Sequence, residues 1–227
     1  MDNRNSLINF SLAGRSHQVS RVNLAILILG VLYTVGIIGV LIPIHPEFVR
    51  LTPINLFISL AIVLLFHPKW NQQSVFFLML CYSVGLGAEI YGVQTGRLFG
   101  DYTYGPVLGP QVLATPLIIG INWIILAYCS GVAVNHLLER QHPVLKAFLA
   151  SLLMVGIDVL IEPVAIRLGF WEWTGSSTPP LQNFLGWWLV AFPILISFMY
   201  LCGKTKNKVA IALFCFQFLF FLTIYLF

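Results

Sequence analysis

Charge is scarce in this chain. Of its 227 residues only 9% are charged, whereas a soluble domain carries about 25%. Hydrophobic residues make up 59% of the chain, and the mean hydropathy is +0.90. This composition excludes a soluble globular domain and predicts an integral membrane protein. The basic residues are scattered between apolar segments, so they indicate topology and not a nucleic-acid-binding patch.

Paired cysteines and known cofactor motifs are also missing. The four cysteines lie in apolar stretches and none forms a CxxC pair, which favours small buried side chains over disulfides or a metal site. The sequence contains no zinc-site spacing, P-loop, dinucleotide fingerprint or serine triad. We therefore expect neither a metal nor a cofactor.

Long apolar runs dominate what is present. A helix needs about 20 apolar residues to cross a bilayer, and seven segments come close to this length. They are 22–42, 49–66, 74–93, 111–137, 145–166, 184–202 and 208–226. The predicted fold class is all-α: a polytopic membrane helical bundle of about seven transmembrane helices, forming a single membrane domain over residues 1–227.

The basic residues predict the orientation of this bundle. With the N-terminus inside, nine basic residues face the cytoplasm: Arg4, Arg15, Arg21, Lys69, Arg140, Lys146, Lys204, Lys206 and Lys208. Only Arg50, Arg97 and Arg167 then face outward. Because cytoplasmic loops are enriched in Lys and Arg, we predict a cell-membrane protein with a cytoplasmic N-terminus and an outer C-terminus.

An internal repeat carries acidic residues into this apolar chain. Copy one contains Glu89, Gly100, Tyr102 and Tyr104, and copy two contains Asp158, Gly169, Trp171 and Trp173, each offset by 69 residues. After a shorter loop the match resumes at an offset of 64 with Trp123 and Trp187. The two copies span residues 67–137 and 142–202. Two helix pairs running in the same direction imply a pseudo-two-fold axis along the membrane normal, with a site built from both halves.

The acidic residues are the strongest candidates for chemistry. Asp158 and Glu162 are four residues apart, so they share one face of a predicted helix. Two carboxyls this close in apolar surroundings should not both ionise, which leaves one neutral acid able to donate a proton. Glu89 adds a third carboxyl near the end of its segment. The alternative is a structural role in which Arg97 and Arg167 neutralise the acids.

The two loops add further candidates. The catalytic candidates are Asp158, Glu89, Glu162, Asp101 and Arg97. The substrate-binding candidates are Tyr91, Tyr102, Tyr104, Trp123, Trp171, Trp173, Asn183 and Trp187. Aromatic faces stabilise a cation by about 0.5–2 kcal/mol each, although aromatic residues are also ordinary at a membrane interface.

Three strings together resemble a membrane-bound carotenoid biosynthesis family that includes carotenoid C-1′,2′-hydratases. They are AEIYGVQTGRLFGDYTYGPVLGPQVLATP, DVLIEPVAIRLGFWEWTG and PLQNFLGWW, and the resemblance covers about residues 67–200. The second copy is also similar, more loosely, to the small membrane lycopene cyclases. Those cyclases carry a paired acidic motif after the proline, and residues 180–183 of this chain lack it.

The resemblance implies an enzyme that adds water across the terminal C-1,2 double bond of an acyclic carotenoid. Protonation of this bond would give a tertiary carbocation, with Asp158, Glu162 and Glu89 as acid and base candidates. The expected partners are an acyclic carotenoid, water and the lipid bilayer, with other carotenoid enzymes as possible associates. No cofactor and no nucleic acid are expected.

The loop residues receive roles from the same resemblance. Asn183 and Asp101 would position the water, and Arg97 would hold one carboxylate ionised so that the carboxyls divide into acid and base. Two other functions stay open: a cyclase that uses the same protonation step, and a non-enzymatic transporter or pigment-binding scaffold. Polar Asn183, Gln182 and Asp101 favour hydration, whereas a dry aromatic pocket would favour ring closure.

Overall fold

The protein is mostly helical. The computed structural model describes residues 3–42, 45 and 47–227, with side chains from residue 20 onward. The helices are α1 (Asn3–Leu41), α2 (Thr52–Leu65), α3 (Gln72–Thr95), α4 (Ile118–Leu137), α5 (Pro143–Arg167), α6 (Leu181–Leu201) and α7 (Lys208–Leu226). A 3-10 turn, Phe48–Leu51, extends α2 at its start. All seven helical segments are long and apolar enough to cross a membrane, which confirms the prediction of seven spans in a multi-pass membrane protein.

One predicted helix boundary is wrong. The fourth span was expected to begin at residue 111, but α4 begins at Ile118. Residues 111–116 instead form a hairpin of β2 (Gln111–Val112) and β3 (Thr115–Pro116). The two residues between these strands have φ values of +49° and +61°, which a helix does not allow, and Pro116 disfavours helical backbone in the residue before it.

A second strand pair, which the all-α prediction did not include, joins the two loops that follow α3 and α5. Strand β1 (Tyr102–Tyr104) pairs antiparallel with β4 (Trp171–Trp173), so that Tyr102 faces Trp173 and Tyr104 faces Trp171. The Gly105 N–H extends the pair by donating to the Phe170 carbonyl at 2.9 Å. A Cβ on Gly105 would lie 2.3 Å from the Gly169 carbonyl oxygen, so only glycine permits this close approach.

The bundle is built around α4, of which 78% is buried, more than any other described span. Helices α3 and α5 pack against α4, and α6 packs against all three. Helix α7 packs against α4 and α5 and joins α1 and α2 to the bundle. As a result, the loops that carry β1 and β4 meet at one end of the four helices α3 to α6.

The predicted orientation stays a prediction. The side chains of Arg4 and Arg15, on which it partly depends, lie outside the described side chains. The other end of the bundle carries the remaining predicted cytoplasmic basic residues, including Lys146 near the start of α5 and Lys206 just before α7. There Lys206 forms a salt bridge with Glu139, which follows α4.

Candidate functional site

Glu89 lies inside the bundle in a shell of three donors. The Tyr102 and Tyr104 hydroxyls donate to its Oε2 atom at 2.5 and 2.8 Å. The indole N–H of Trp123, on α4, donates to its Oε1 atom at 3.0 Å. One helix and the β1 strand therefore hold both oxygens of this carboxyl group.

Glu162 has an equivalent shell in the other half of the chain. The indole N–H groups of Trp171 and Trp173 donate to its Oε2 atom at 3.1 and 3.0 Å. The Asn183 side-chain amide, from the first turn of α6, donates to its Oε1 atom at 3.0 Å. This carboxyl therefore also accepts three hydrogen bonds from neutral donors.

Asp158 differs from both glutamates. It accepts one hydrogen bond, from the Asn183 amide to Oδ2 at 3.1 Å. Its Oδ1 atom is buried and has no hydrogen-bond partner among the described residues. Asn183 thus bridges Asp158 and Glu162, and one carboxyl oxygen of Asp158 is left free.

Ring contacts join the two carboxyl shells. The Tyr102 ring lies 5.0 Å from the Trp173 ring across the β1–β4 pair, measured between centroids. Trp123 stacks on Trp187 of α6 at 4.5 Å and 19°. Residues from both copies of the sequence pattern therefore meet in one cluster, which we call the carboxyl cluster: Glu89, Asp158 and Glu162.

The carboxyl cluster is sealed and has no positive partner among the described side chains. Glu89, Asp158 and Glu162 are 3%, 0% and 2% exposed. The salt bridges of the described residues lie elsewhere, between Arg50 and Glu47 and between Lys206 and Glu139. Three unpaired buried charges would be very costly, so the cluster must hold at least one proton.

Hydrogen bonding indicates where this proton sits. Donors from neutral groups stabilise the ionised form of a carboxyl, and Glu89 and Glu162 each accept three such bonds. Asp158 accepts one. Asp158 is therefore the carboxyl with the least hydrogen-bond support for a charge, and Oδ1 is its free position.

The loop tyrosines keep their protons and remain donors. Burial, and then the charge of Glu89, raise the pKa of both the Tyr102 and Tyr104 hydroxyls. A hydroxyl that stays protonated can donate to a carboxylate throughout the physiological pH range. These tyrosines thus hold Glu89 in place, a contact that the sequence pattern did not indicate.

Three predicted site residues do not join the cluster. Arg97 is exposed and forms no salt bridge among the described residues, so the ion pair predicted for it is not formed. Asp101 is also exposed, because its side chain sits on the outer edge of the loop while its backbone carbonyl pairs with Thr174. Tyr91 is 48% exposed on the outer face of α3.

The other arginine considered as a partner for the acids is also engaged elsewhere. Arg167 donates to the backbone carbonyl of Ile224 near the end of α7. Gln182, expected to provide polarity, donates to the Arg97 carbonyl at 2.6 Å and is exposed. Among Arg97, Asp101, Gln182 and Asn183, only Asn183 donates a hydrogen bond to the carboxyls.

An apolar cavity of about 260 Å³ lies beside the cluster. Helices α1, α2 and α7 form one side of it, and Ile119 and Ile161 come from α4 and α5. Trp171 lines the cavity and also donates to Glu162, so its indole forms the wall between the cavity and the cluster. A ligand in this cavity would therefore lie against the residue that holds Glu162.

Sequence reasoning missed the polar residues of this cavity. Tyr33, Asn55 and Gln217 line it from three different helices. Each is one of the few polar residues in a largely apolar span, and that rarity was the available signal. Packing between helices that are distant in sequence brings these residues together. Helices that are apolar on all sides have no hydropathy periodicity from which this packing could be predicted.

The packing of Trp123 supports a testable prediction about α3. A Cβ on Gly85 would lie 2.5 Å from Cγ of Trp123, whereas a Cβ on Gly87 would meet nothing within 4 Å. Gly85→Ala should therefore displace the indole from Glu89 and destabilise the protein by about 1–3 kcal/mol, the usual cost of overpacking. Gly87→Ala should leave the thermal midpoint in detergent unchanged or slightly higher. Equal midpoints for the two variants would contradict the described position of Trp123.

Comparison with known proteins identifies a family. The family model described as "Carotenoid biosynthesis protein" matches residues 51–227. Bisanhydrobacterioruberin hydratase of Haloarcula japonica is 30% identical over 115 residues, which cover 45% of this chain and 37% of that protein. The match thus spans well under half of that relative's length, and no solved structure matches. Because the family model covers most of the chain, the protein belongs to the carotenoid biosynthesis protein family.

Proposed function

We propose that this protein hydrates the end group of an acyclic carotenoid. The observation that carries the proposal is the carboxyl cluster, in which Asp158 has a free buried oxygen and two neighbouring carboxyls are fully hydrogen-bonded. Hydration of a trisubstituted alkene needs a proton donor, an environment that tolerates a tertiary cation, and a base for the attacking water. Membership of the family and the hydratase among its relatives support this class of reaction.

Asp158 is the proton donor in this proposal. Its carboxyl proton moves to C-2 of the terminal double bond, and C-1 becomes a tertiary cation. A general acid must be protonated in the resting state, and Asp158 has the weakest hydrogen-bond support for a charge in the cluster. Asn183 fixes its orientation through Oδ2 and leaves Oδ1 without a partner among the described residues.

Glu162 is the base and the main counter-charge. Its carboxylate stabilises the cation, since a fixed charge in a water-excluded site acts strongly on a charge that develops in the transition state. The water oxygen bonds to C-1, and the proton it releases passes to Glu162. Asp158 regains a proton before the next turnover, so the sum is the addition of one water molecule.

The apolar cavity receives the end of the polyene. Its volume of about 260 Å³ is slightly below the range of about 300–1,000 Å³ that encloses drug-sized ligands. It thus fits an end group and a short part of the chain, while the rest extends into lipid.

The internal repeat is part of the proposal. In the repeat, Tyr102 corresponds to Trp171 and Tyr104 to Trp173, and the strands pair Tyr102 with Trp173 and Tyr104 with Trp171. A two-fold axis between the copies would produce this crossed pairing. The copies then differ in which acid the strand contacts: the aromatic donors of copy two bind Glu162, one helical turn beyond the position equivalent to Glu89.

Ring closure is the second candidate, because the carboxyls are sealed and the cavity wall beside them is aromatic. A cyclase would make the same cation, but a neighbouring double bond of the carotenoid would capture it instead of water. Expression in a host that makes lycopene, followed by mass analysis of the pigments, separates the two reactions. Hydration should add the mass of one water molecule per reacted end. A cyclised product of unchanged mass would show that the reaction is ring closure and not hydration. Unaltered pigment would contradict both proposals.

A further inference from the structure

Four side chains with unpaired polar atoms lie on the helices α1, α2 and α7. Tyr33 Oη, Asn55 Oδ1, Ser59 Oγ and Gln217 Oε1 are buried and have no hydrogen-bond partner among the described residues. Tyr33, Ser59 and Gln217 are 5%, 0% and 2% exposed. We call these four residues the polar cluster. Unsatisfied polar groups are costly inside a membrane bundle, and four of them together indicate a ligand that satisfies them.

The polar cluster opens into the cavity that we assign to the polyene end. Tyr33, Asn55 and Gln217 line this cavity, and Ser59 and Gln217 both neighbour the Tyr33 hydroxyl. The Tyr33 ring is fixed between Phe216 and Phe220 of α7, at centroid distances of 6.2 and 6.0 Å. The hydroxyl is therefore held in position, and three helices contribute to one polar surface.

The polar cluster lies at the depth of the proposed acid. Asp158 is nine residues before the end of α5, Gln217 is nine before the end of α7, and Tyr33 is eight before the end of α1. At 1.5 Å per residue these positions are about 12–14 Å from the helix ends. Trp171 and Ile161 line the same cavity from the side of the carboxyl cluster, and Trp171 contacts Glu162, so one cavity adjoins both clusters.

We infer that the polar cluster binds water and supplies the water molecule that attacks the carbocation. The inference rests on the proposed hydratase function. The carboxyl cluster is too enclosed to draw water directly from the surface. Buried water usually makes two to four hydrogen bonds, and the polar cluster provides one hydroxyl donor from Tyr33, one from Ser59, and acceptor oxygens from Asn55 and Gln217. The water adds through its oxygen to C-1 and gives its proton to Glu162.

The test separates protonation from water capture. In heavy water, a cation that gains water becomes the hydrate, whereas a cation that loses a proton returns to alkene that carries carbon-bound deuterium. The variants are Gln217→Leu, which keeps the approximate volume, and Tyr33→Phe, which removes only a hydroxyl. Thr34→Val is the matched control, because it removes a hydroxyl from the adjacent, exposed position of the same helix.

We expect Gln217→Leu and Tyr33→Phe to lower the ratio of hydrate to deuterated alkene by about five- to tenfold, the effect of one lost hydrogen bond. The sum of the two products should be unchanged, and Thr34→Val should match wild type. An unchanged ratio would overturn the inference, as would a lower total at constant ratio, which would mean that the cluster binds the polyene. If wild-type protein forms neither product, the hydratase function itself is wrong and the inference falls with it.

Discussion

Asp158→Asn should reduce hydration by about 10²–10⁴-fold, the usual contribution of a general acid–base group. The substitution nearly preserves the shape of the side chain and removes the proton that it would transfer. Asp158 is fully buried, and its Oδ1 atom has no partner among the described residues. The asparagine can still accept from Asn183 through its own carbonyl oxygen, so the protein should insert and bind carotenoid as wild type does. Initial rates of hydrate formation with purified protein measure the effect.

The control for Asp158→Asn is Glu172→Gln. Glu172 is the exposed residue of β4 between Trp171 and Trp173, so it shares the location without touching the carboxyl cluster. It should retain wild-type turnover. If Asp158→Asn kept more than a third of wild-type turnover, Asp158 would not be the donor, and Glu89 or Glu162 would take its place.

Glu162→Gln should have the second-largest effect, a loss of about 10²–10³-fold, comparable to the removal of one preorganised charge-stabilising group. The variant loses the counter-charge to the carbocation and the acceptor for the proton of water. It should also be less stable, because a glutamine presents an NH2 group on one side. This group must face either the two indole donors at Oε2 or the Asn183 amide at Oε1.

A pair of measurements separates these two consequences for Glu162→Gln. The thermal midpoint reports the hydrogen-bond conflict, and the turnover of the folded fraction reports the lost charge. Turnover within a few-fold of wild type would show that Glu162 is a structural acid that only anchors Trp171 and Trp173.

Much of the fold could be predicted because lipid imposes a simple rule. Each span needs about 20 apolar residues, and six of the seven predicted spans agree with the candidate membrane spans of the structure to within about three residues at each end. The fourth failed at its start because Gln111–Pro116 are apolar enough to resemble a helix. Hydropathy carries no information about the left-handed turn that makes them a hairpin.

The sequence pattern located the carboxyl cluster without revealing its internal contacts. The predicted repeat makes Asp158 the equivalent of Glu89, yet the indoles of Trp171 and Trp173 bind Glu162. Asp158 and Glu162 are one helical turn apart, and side-chain length and rotamer decide which of them the strand contacts. The offset between two sequence repeats specifies neither of these properties. Arg167, which the alternative structural interpretation paired with the acids, donates to the Ile224 carbonyl, 57 residues away in sequence. Such a contact depends on how α5 and α7 pack.

The measurement that most directly tests the central claim follows the fate of the proton. Purified wild-type protein is incubated with an acyclic carotenoid in heavy water, and the product is returned to ordinary water and analysed by mass spectrometry. The account predicts one added hydroxyl and one non-exchangeable, carbon-bound deuterium for each hydrated end, with both lost in Asp158→Asn. A hydrate without carbon-bound deuterium, or a deuterated hydrate formed at the wild-type rate by Asp158→Asn, would contradict protonation by the carboxyl cluster.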